Sequence, residues 1–435
     1  MKRKTTVLFL FAILFLNSCN TPITNSEDDQ KEQDTKVEYI SDTKLFYYQD
    51  EQSYRLFFSF KDKNYVNIAG KAEVTIRIYN LLKELIYTKV VLVTESYFSY
   101  WERSDGSAIY LASIPIKYSD IKEGILPEGS VTCSIVFDDG RFFNDFNLDI
   151  QGLPVKVFNQ PLSYYSTTIG NIIGVPAGYY RRNSIQHNYN VLSEFRISQY
   201  EISREQFVKV FATDPSDLTK SSSVNDPVQN INWYQAIAFC NKLSILENLQ
   251  QVYILDGIDF SVLNLSDIPT TLNENWNDVE VNWSNNGYRL PTELEWRWAA
   301  MGARDFESGI DKLFAGSTGS NDIDDYAWYY NPYTLNKITT SQPIGQKLPN
   351  ELGLYDMSGN IGEWIWTSYV KYNDGIIDSN SEYGRNGSSI LSESKLICGG
   401  NWADSSFYCK IAAIGTSFWP ANKQTPYTGF RVVRN

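Results

Sequence analysis

Residues 353–366 read GLYDMSGNIGEWIW, and this stretch decides the fold of the half of the chain around it. Asp356 and Glu363 lie seven residues apart and bracket a turn containing Gly359. Such a turn can direct backbone carbonyls inward, and calcium takes roughly six to eight oxygens from mixtures of carboxylate and carbonyl. The other reading is a metal-free turn in which Asp356 caps backbone N–H groups and Glu363 pairs with an arginine.

On the N-terminal side of this turn the sequence predicts three helices. Residues 201–211 are helix-like, and within residues 233–246 the positions Trp233, Ala236, Ile237, Cys240 and Leu243 fall on one apolar stripe. A third helix starts at Thr292, whose spacing to Glu295 makes a capping box, with Leu294, Trp298 and Met301 on its buried face. Beyond it the chain is rich in Gly, Asn, Tyr and Trp with little periodicity, which predicts long ordered loops around a small sheet.

Residues 37–155 follow a different rule. Val74, Ile76 and Ile78 alternate with Thr75, Arg77 and Tyr79, and Val131, Cys133, Ile135 and Phe137 repeat the pattern, as half-buried strands require. Residues 54–60, 87–93 and 108–116 add strand-like runs, and Asp139-Gly140 offers a tight hairpin turn. About seven short strands over such a length predict an immunoglobulin-like β-sandwich. Cys133, on the apolar face of its strand, reads as a buried inert thiol.

The start of the chain carries an address. Lys2, Arg3 and Lys4 precede a short apolar run that ends in Leu16-Asn17-Ser18-Cys19. This is similar to a bacterial lipoprotein signal, which predicts a cleaved peptide over residues 1–18 and lipidation of Cys19. The run is too short for a comfortable membrane span. Residues 19–36 are polar, acidic and free of aromatics, so they read as a disordered tether.

Composition removes several function classes. The 435 residues include one histidine, His187, so no site needing two or more histidines can form within one chain. A Ser-His-Asp or Cys-His arrangement would have to use His187 itself. With 38 basic against 51 acidic residues, the net charge of −13 disfavours nucleic acid as a partner. Aromatics at 15% suit sheets and packed loops.

Six strings occur in one order: ISQYEISREQFVKVF (197–211), PVQNINWYQAIAFCNKLS (227–244), GYRLPTELEWRWAA (287–300), AWYYN (327–331), PIGQKLPNELGLYDMSGNIGEWIW (343–366) and GFRVV (429–433). Together they resemble the formylglycine-generating enzyme, or sulfatase-modifying factor, family. The resemblance implies an α+β variant of the C-type lectin-like fold over residues 168–435, with bound calcium. Carried over by position, the calcium ligands fall on the side chains of Asp356 and Glu363 and the carbonyls of Gly359 and Ile361. Gly362 stands where the family usually has a large residue. Arg289 and Arg431 match arginines that brace loops, and Trp296, Trp298, Trp364, Trp366 and Trp402 read as core.

Chemistry is decided in ICGGNWADSSFYCKIAA, residues 397–413. Active members of the family use two cysteines five residues apart to hold copper(I), which activates oxygen to oxidise a substrate cysteine; soft sulfur suits that ion. Counted without gaps from Gly399, the first position is Asp404 and the second is Cys409. With a shorter loop Cys409 matches neither, so the pair is broken in both alignments and copper is not expected. Cys409 is the one candidate catalytic thiol, alone or with Cys398, to which a disulfide is also conceivable. Cys240 reads as a buried free thiol. The iron-dependent, histidine-using relatives are excluded by the histidine count.

The sequence therefore predicts a lipid-anchored envelope protein whose C-terminal domain is a calcium-stabilised binding or structural module with its oxidase chemistry lost and an unidentified protein or glycan partner. Two alternatives stay open: a formylglycine-generating oxidoreductase acting on a cysteine of an exported protein, and a carbohydrate-binding lipoprotein.

Overall fold

The computed structural model describes residues 37, 39–48, 51–102, 108–124, 127–151, 153–154, 159–181, 189–304, 312–317, 323–333, 338–368, 377–378, 394–413 and 418–435. Cys19, the leader, the tether and His187 lie outside them. The chain divides into two compact units, Met1–Lys156 and Val157–Asn435.

The first unit is all β. Its strands are β1 (Tyr39–Tyr48), β2 (Ser53–Lys61), β3 (Asn67–Ile68), β4 (Ala72–Asn80), β5 (Leu85–Val93), β6 (Phe98–Glu102), β7 (Ala108–Lys117), β8 (Glu128–Phe137) and β9 (Phe142–Gln151). They form two antiparallel sheets, β1-β2-β7-β6 with β3 beside β2, and β5-β4-β8-β9. Alternation does what it must: Val74, Ile76 and Ile78 of β4 and Val131, Cys133 and Ile135 of β8 join Leu56, Phe58, Phe60, Ile114 and Ile116 of the other sheet in one core. Each fully buried side chain of this kind contributes about 1.5–3 kcal/mol. The turn from β8 to β9 uses Gly140 at φ +82°, and Asp139 accepts the Arg141 N–H.

The second unit has little regular structure. Helices α1 (Arg204–Phe211), α2 (Trp233–Leu246), α3 (Glu274–Asn277) and α4 (Glu293–Ala300) are short. Its strands are β10 (Tyr164–Ser166), β11 (Gly170–Val175), β12 (Gly178–Arg181), β13 (Tyr189–Leu192), β14 (Phe195–Ser198), β15 (Tyr253–Ile254), β16 (Glu280–Val281), β17 (Gly362–Ser368), β18 (Ile377–Asp378), β19 (Ser394–Cys398), β20 (Phe418–Pro420), β21 (Thr428–Gly429) and β22 (Val433–Arg434). Two four-stranded sheets, β10-β11-β14-β22 and β20-β19-β17-β21, frame the candidate site.

The helices start where side chains can cap them. Asn232, Thr292 and Ser203 each accept from the N–H three residues on, and Gln235, Glu295 and Gln206 return a bond to the cap. The helix expected from residue 201 therefore begins at Arg204, and Glu201 is free for another task. Helix α2 is buried on every face rather than along one stripe, because Tyr234, Phe239 and Asn241 also pack inward. Among the described residues no helix is long and apolar enough to cross a membrane.

Candidate functional site

The turn that opened the sequence reading is held by its neighbours. Asn350 donates to the carbonyls of Ala299 and Ala300 at the end of α4 and accepts from the N–H groups of Leu352 and Leu354. Backbone φ is positive at Asp356, Gly359 and Asn360. At Gly359 a Cβ would stand 2.2 Å from the Trp328 carbonyl oxygen, so only glycine lets these strands of backbone approach. At Gly362 a Cβ would stand 2.8 Å from Cγ2 of Ile397, so that isoleucine fills the space beside it.

Four charged groups converge under the turn. Glu363 is fully buried and faces the fully buried Arg431, with Nε at 2.7 and 2.8 Å and Nη2 at 2.6 Å from its oxygens. The Trp296 indole N–H donates to the same carboxylate at 2.7 Å. Asp356 accepts the Gly345 N–H at 2.7 Å through Oδ2, and its buried Oδ1 has no partner. Burial pushes the Asp356 carboxyl up to about 6, against the pull of the Gly345 N–H and Arg431. Glu201 is the member that sequence reasoning missed. Its oxygens accept from Asn360 Nδ2 at 2.8 Å and Ile361 N–H at 3.1 Å, and burial, with Asp356 and Glu363 nearby, raises it well above the carboxylate range. The capping box at Ser203 was the available signal, since it releases Glu201 from the helix.

The turn shows two contacts, Asp356 on a backbone N–H and Glu363 on an arginine. Both oxygens of Glu363 are taken by Arg431 and Trp296, so the guanidinium supplies positive charge beside these carboxylates, and Gly359 and Ile361 lie in the turn between Asp356 and Glu363. Asn360, fully buried, knits the surroundings: its N–H reaches the Trp328 carbonyl, its carbonyl accepts from Trp402, and its Oδ1 accepts from Gln342.

The segment after β19 carries the thiols. Cys133, Cys240, Cys398 and Cys409 are all free and buried, so the Cys398 to Cys409 disulfide does not form. Cys398 packs with Met357 and Trp296, whereas Cys409 packs with Phe314, Ile323 and Ala327. Burial, reinforced by the charge of Asp404, pushes the Cys409 thiol far up, and burial does the same to Cys398. A thiol in that state is a poor nucleophile. Asp404 is bound to Asn401 Nδ2 at 2.6 Å, and its carbonyl accepts the Tyr330 N–H.

The remaining candidates are structural. Arg289 pairs with Glu295 through two bonds of 2.7 Å and reaches Asn435. Trp296, Trp298, Trp364, Trp366 and Trp402 are buried, and the indoles of Trp298 and Trp364 donate to backbone carbonyls. Lys395 was not anticipated. Its buried ammonium lies 4.1 Å from the Trp233 ring centre and bonds Ser368, and burial lowers it to about 8.

Comparison with known proteins places this scaffold. Residues 162–435 match the sulfatase-modifying factor enzyme 1-like domain. The chain belongs to that family. It is similar to the protein named chaperone protein LppX of Paenibacillus barcinonensis, 33% identical over 288 residues, which are 62% of this chain and 91% of that protein. It is also similar to the formylglycine-generating enzyme of Mycobacterium tuberculosis, 35% identical over 88 residues, 20% of this chain and 29% of that enzyme. Among solved structures, Treponema denticola variable protein 1 superposes with a TM-score of 0.55 at 30% identity, covering 63% of this chain and 99% of that one. The sulfatase-modifying factor domain thus spans the second unit.

Proposed function

We propose that this chain is an envelope lipoprotein, anchored through Cys19, whose sulfatase-modifying-factor-like domain binds a protein partner and performs no oxidation. One observation carries the reading: Cys409, the candidate catalytic thiol, is a buried thiol held in its protonated form with no thiol paired to it. A rigid scaffold that carries long loops suits binding. The similarity to a protein named as a chaperone points the same way and makes exported polypeptides the partner class. The scaffold is braced by Arg431 and Glu363 rather than by calcium.

The first unit is an immunoglobulin-like sandwich on this reading. Its strand orders, β1-β2-β7-β6 and β5-β4-β8-β9, support it, because hairpins within a sheet alternate with crossings between sheets from β3 to β4, β5 to β6 and β7 to β8.

Two assays test the function. Purified protein supplied with copper(I), oxygen and a Cys-x-Pro-x-Arg peptide should leave the peptide cysteine unchanged; formylglycine formation that depends on Cys409 would establish the oxidoreductase instead. The protein should also suppress aggregation of a chemically unfolded secreted enzyme at stoichiometric ratio, and no suppression would remove the chaperone reading.

A further inference from the structure

The chain enters the first unit at one end of the sandwich. Val37, the first described residue, is buried in its core, and its carbonyl accepts from Arg141 at the β8–β9 turn. A Cβ on Gly70, between β3 and β4, would stand 3.1 Å from Cγ2 of Val37 and from Cδ2 of Phe60. Tyr39 pairs with Lys61, the last residue of β2. The loop from β2 to β3, residues 62–66, therefore projects from the same end that receives the residues leading back to Cys19.

This loop is built to display two side chains. The Asp62 carboxylate accepts the N–H groups of Asn64 at 2.8 Å and Val66 at 2.9 Å, while the Tyr65 N–H donates to the Asp62 carbonyl and the Asp62 N–H to the Val66 carbonyl. The turn puts Tyr65 at φ +63°, a conformation that strains a bulky residue and that asparagine adopts more readily. Tyr65 is 67% exposed and Val66 56%, so the strained turn aims them at the surroundings rather than at the core. Basic groups at this end are already offset, Lys71 by Asp138 at 3.6 Å and Arg141 by Asp139 at 2.7 Å. Apolar contact, rather than net charge, is what the loop offers.

We infer that residues 62–66 form a membrane-contact tip, with Tyr65 and Val66 seated in the headgroup region of the bilayer that holds the lipid on Cys19. The inference rests on the lipoprotein reading above. Residues 20–36 separate Cys19 from Val37, so this end of the first unit lies within at most about 60 Å of the lipid. Tethering keeps the tip at high effective concentration over the bilayer, and two side chains then suffice for a contact too weak to form from solution. Tyrosine suits the boundary, where one end of a side chain is apolar and the other wet. Because the chain is acidic overall, the occupant is a zwitterionic lipid surface rather than an anionic one.

The test anchors the full lipidated chain in phosphatidylcholine vesicles and attaches an environment-sensitive dye at Asn64→Cys. The control is Leu82→Cys, in the β4–β5 turn at the opposite end of β4. Both positions are exposed, and Cys133, Cys240, Cys398 and Cys409 are buried. Spin-labelled lipid in the vesicle should quench the dye at residue 64 and leave the dye at residue 82 unquenched. Tyr65→Asn with Val66→Ser should abolish the difference, and asparagine keeps the positive φ of the turn. Equal quenching at the two positions overturns the inference, as does a difference that survives the double substitution. A blue-shifted dye without quenching means that a partner protein or a second copy covers the tip, and overturns it too. Flotation of the vesicles separates the two readings: a chain that floats without quenching at residue 64 refutes the membrane contact alone, and a chain that does not float refutes the lipid anchor with it.

Discussion

Arg431 and Glu363 meet in the centre of the second unit with neither side chain exposed, 68 residues apart in sequence and 2.6 to 2.8 Å apart in space. Removing one partner leaves the other charge buried and uncompensated, which costs about 3–5 kcal/mol. Arg431→Met should lose about that much in urea unfolding. Arg431→Met combined with Glu363→Leu should recover part of the loss. A single-variant loss under about 1 kcal/mol would show that the pair is not the brace.

Metal removal follows from the same pair. With Glu363 occupied by a guanidinium, the thermal midpoint should be the same in calcium and in a strong chelator. A ligand bound only by the native state raises stability with its concentration, so a midpoint that climbs with calcium would return the ion to the turn.

The thiols give a third prediction. Cys133, Cys240, Cys398 and Cys409 are buried and free, so native protein should be nearly silent towards a thiol reagent while denatured protein titrates all four without reductant. Two missing thiols in the denatured sample would reveal a disulfide.

Lys395 makes stability depend on pH. Burial lowers its folded value to about 8 from 10.5, with Asp278 opposing. Between those values the unfolded chain binds more protons than the folded one, so stability rises with pH through that window. The contribution is fully present above the unfolded value and is lost as pH falls through about 8. Unfolding midpoints of the parent minus those of Lys395→Met should therefore increase from pH 8 to 10.5, and a flat difference would contradict the buried ammonium.

Periodicity made the all-β first unit, the extent of α2 and the capped start of α4 legible in the sequence, because each follows from local rules of spacing. The turn at residues 353–366 was legible only as two readings, since its outcome depends on whether Arg431, far along the chain, reaches Glu363. Glu201 was hidden for a related reason: an apolar pattern is blind to a carboxylate recruited by Asn360 and Ile361, about 160 positions away. The burial of Lys395 between Trp233 and Trp366 was equally out of reach, because a lysine in a strand reads as solvent-facing.

The segment that supplies Arg431 has a bearing on how the protein is made. Phe430, Arg431, Val432 and Val433 are fully buried, and Val433 exchanges backbone bonds with Arg289 while Val432 bonds Ser198. Until these residues leave the ribosome, Glu363 lacks the guanidinium that pairs with it and β14 lacks its β22 neighbour. Such long-range contacts form late and slowly, so a nascent chain stalled before Gly429 lacks both the brace and the edge of its sheet. Closure of this unit therefore waits for its last strand, β22.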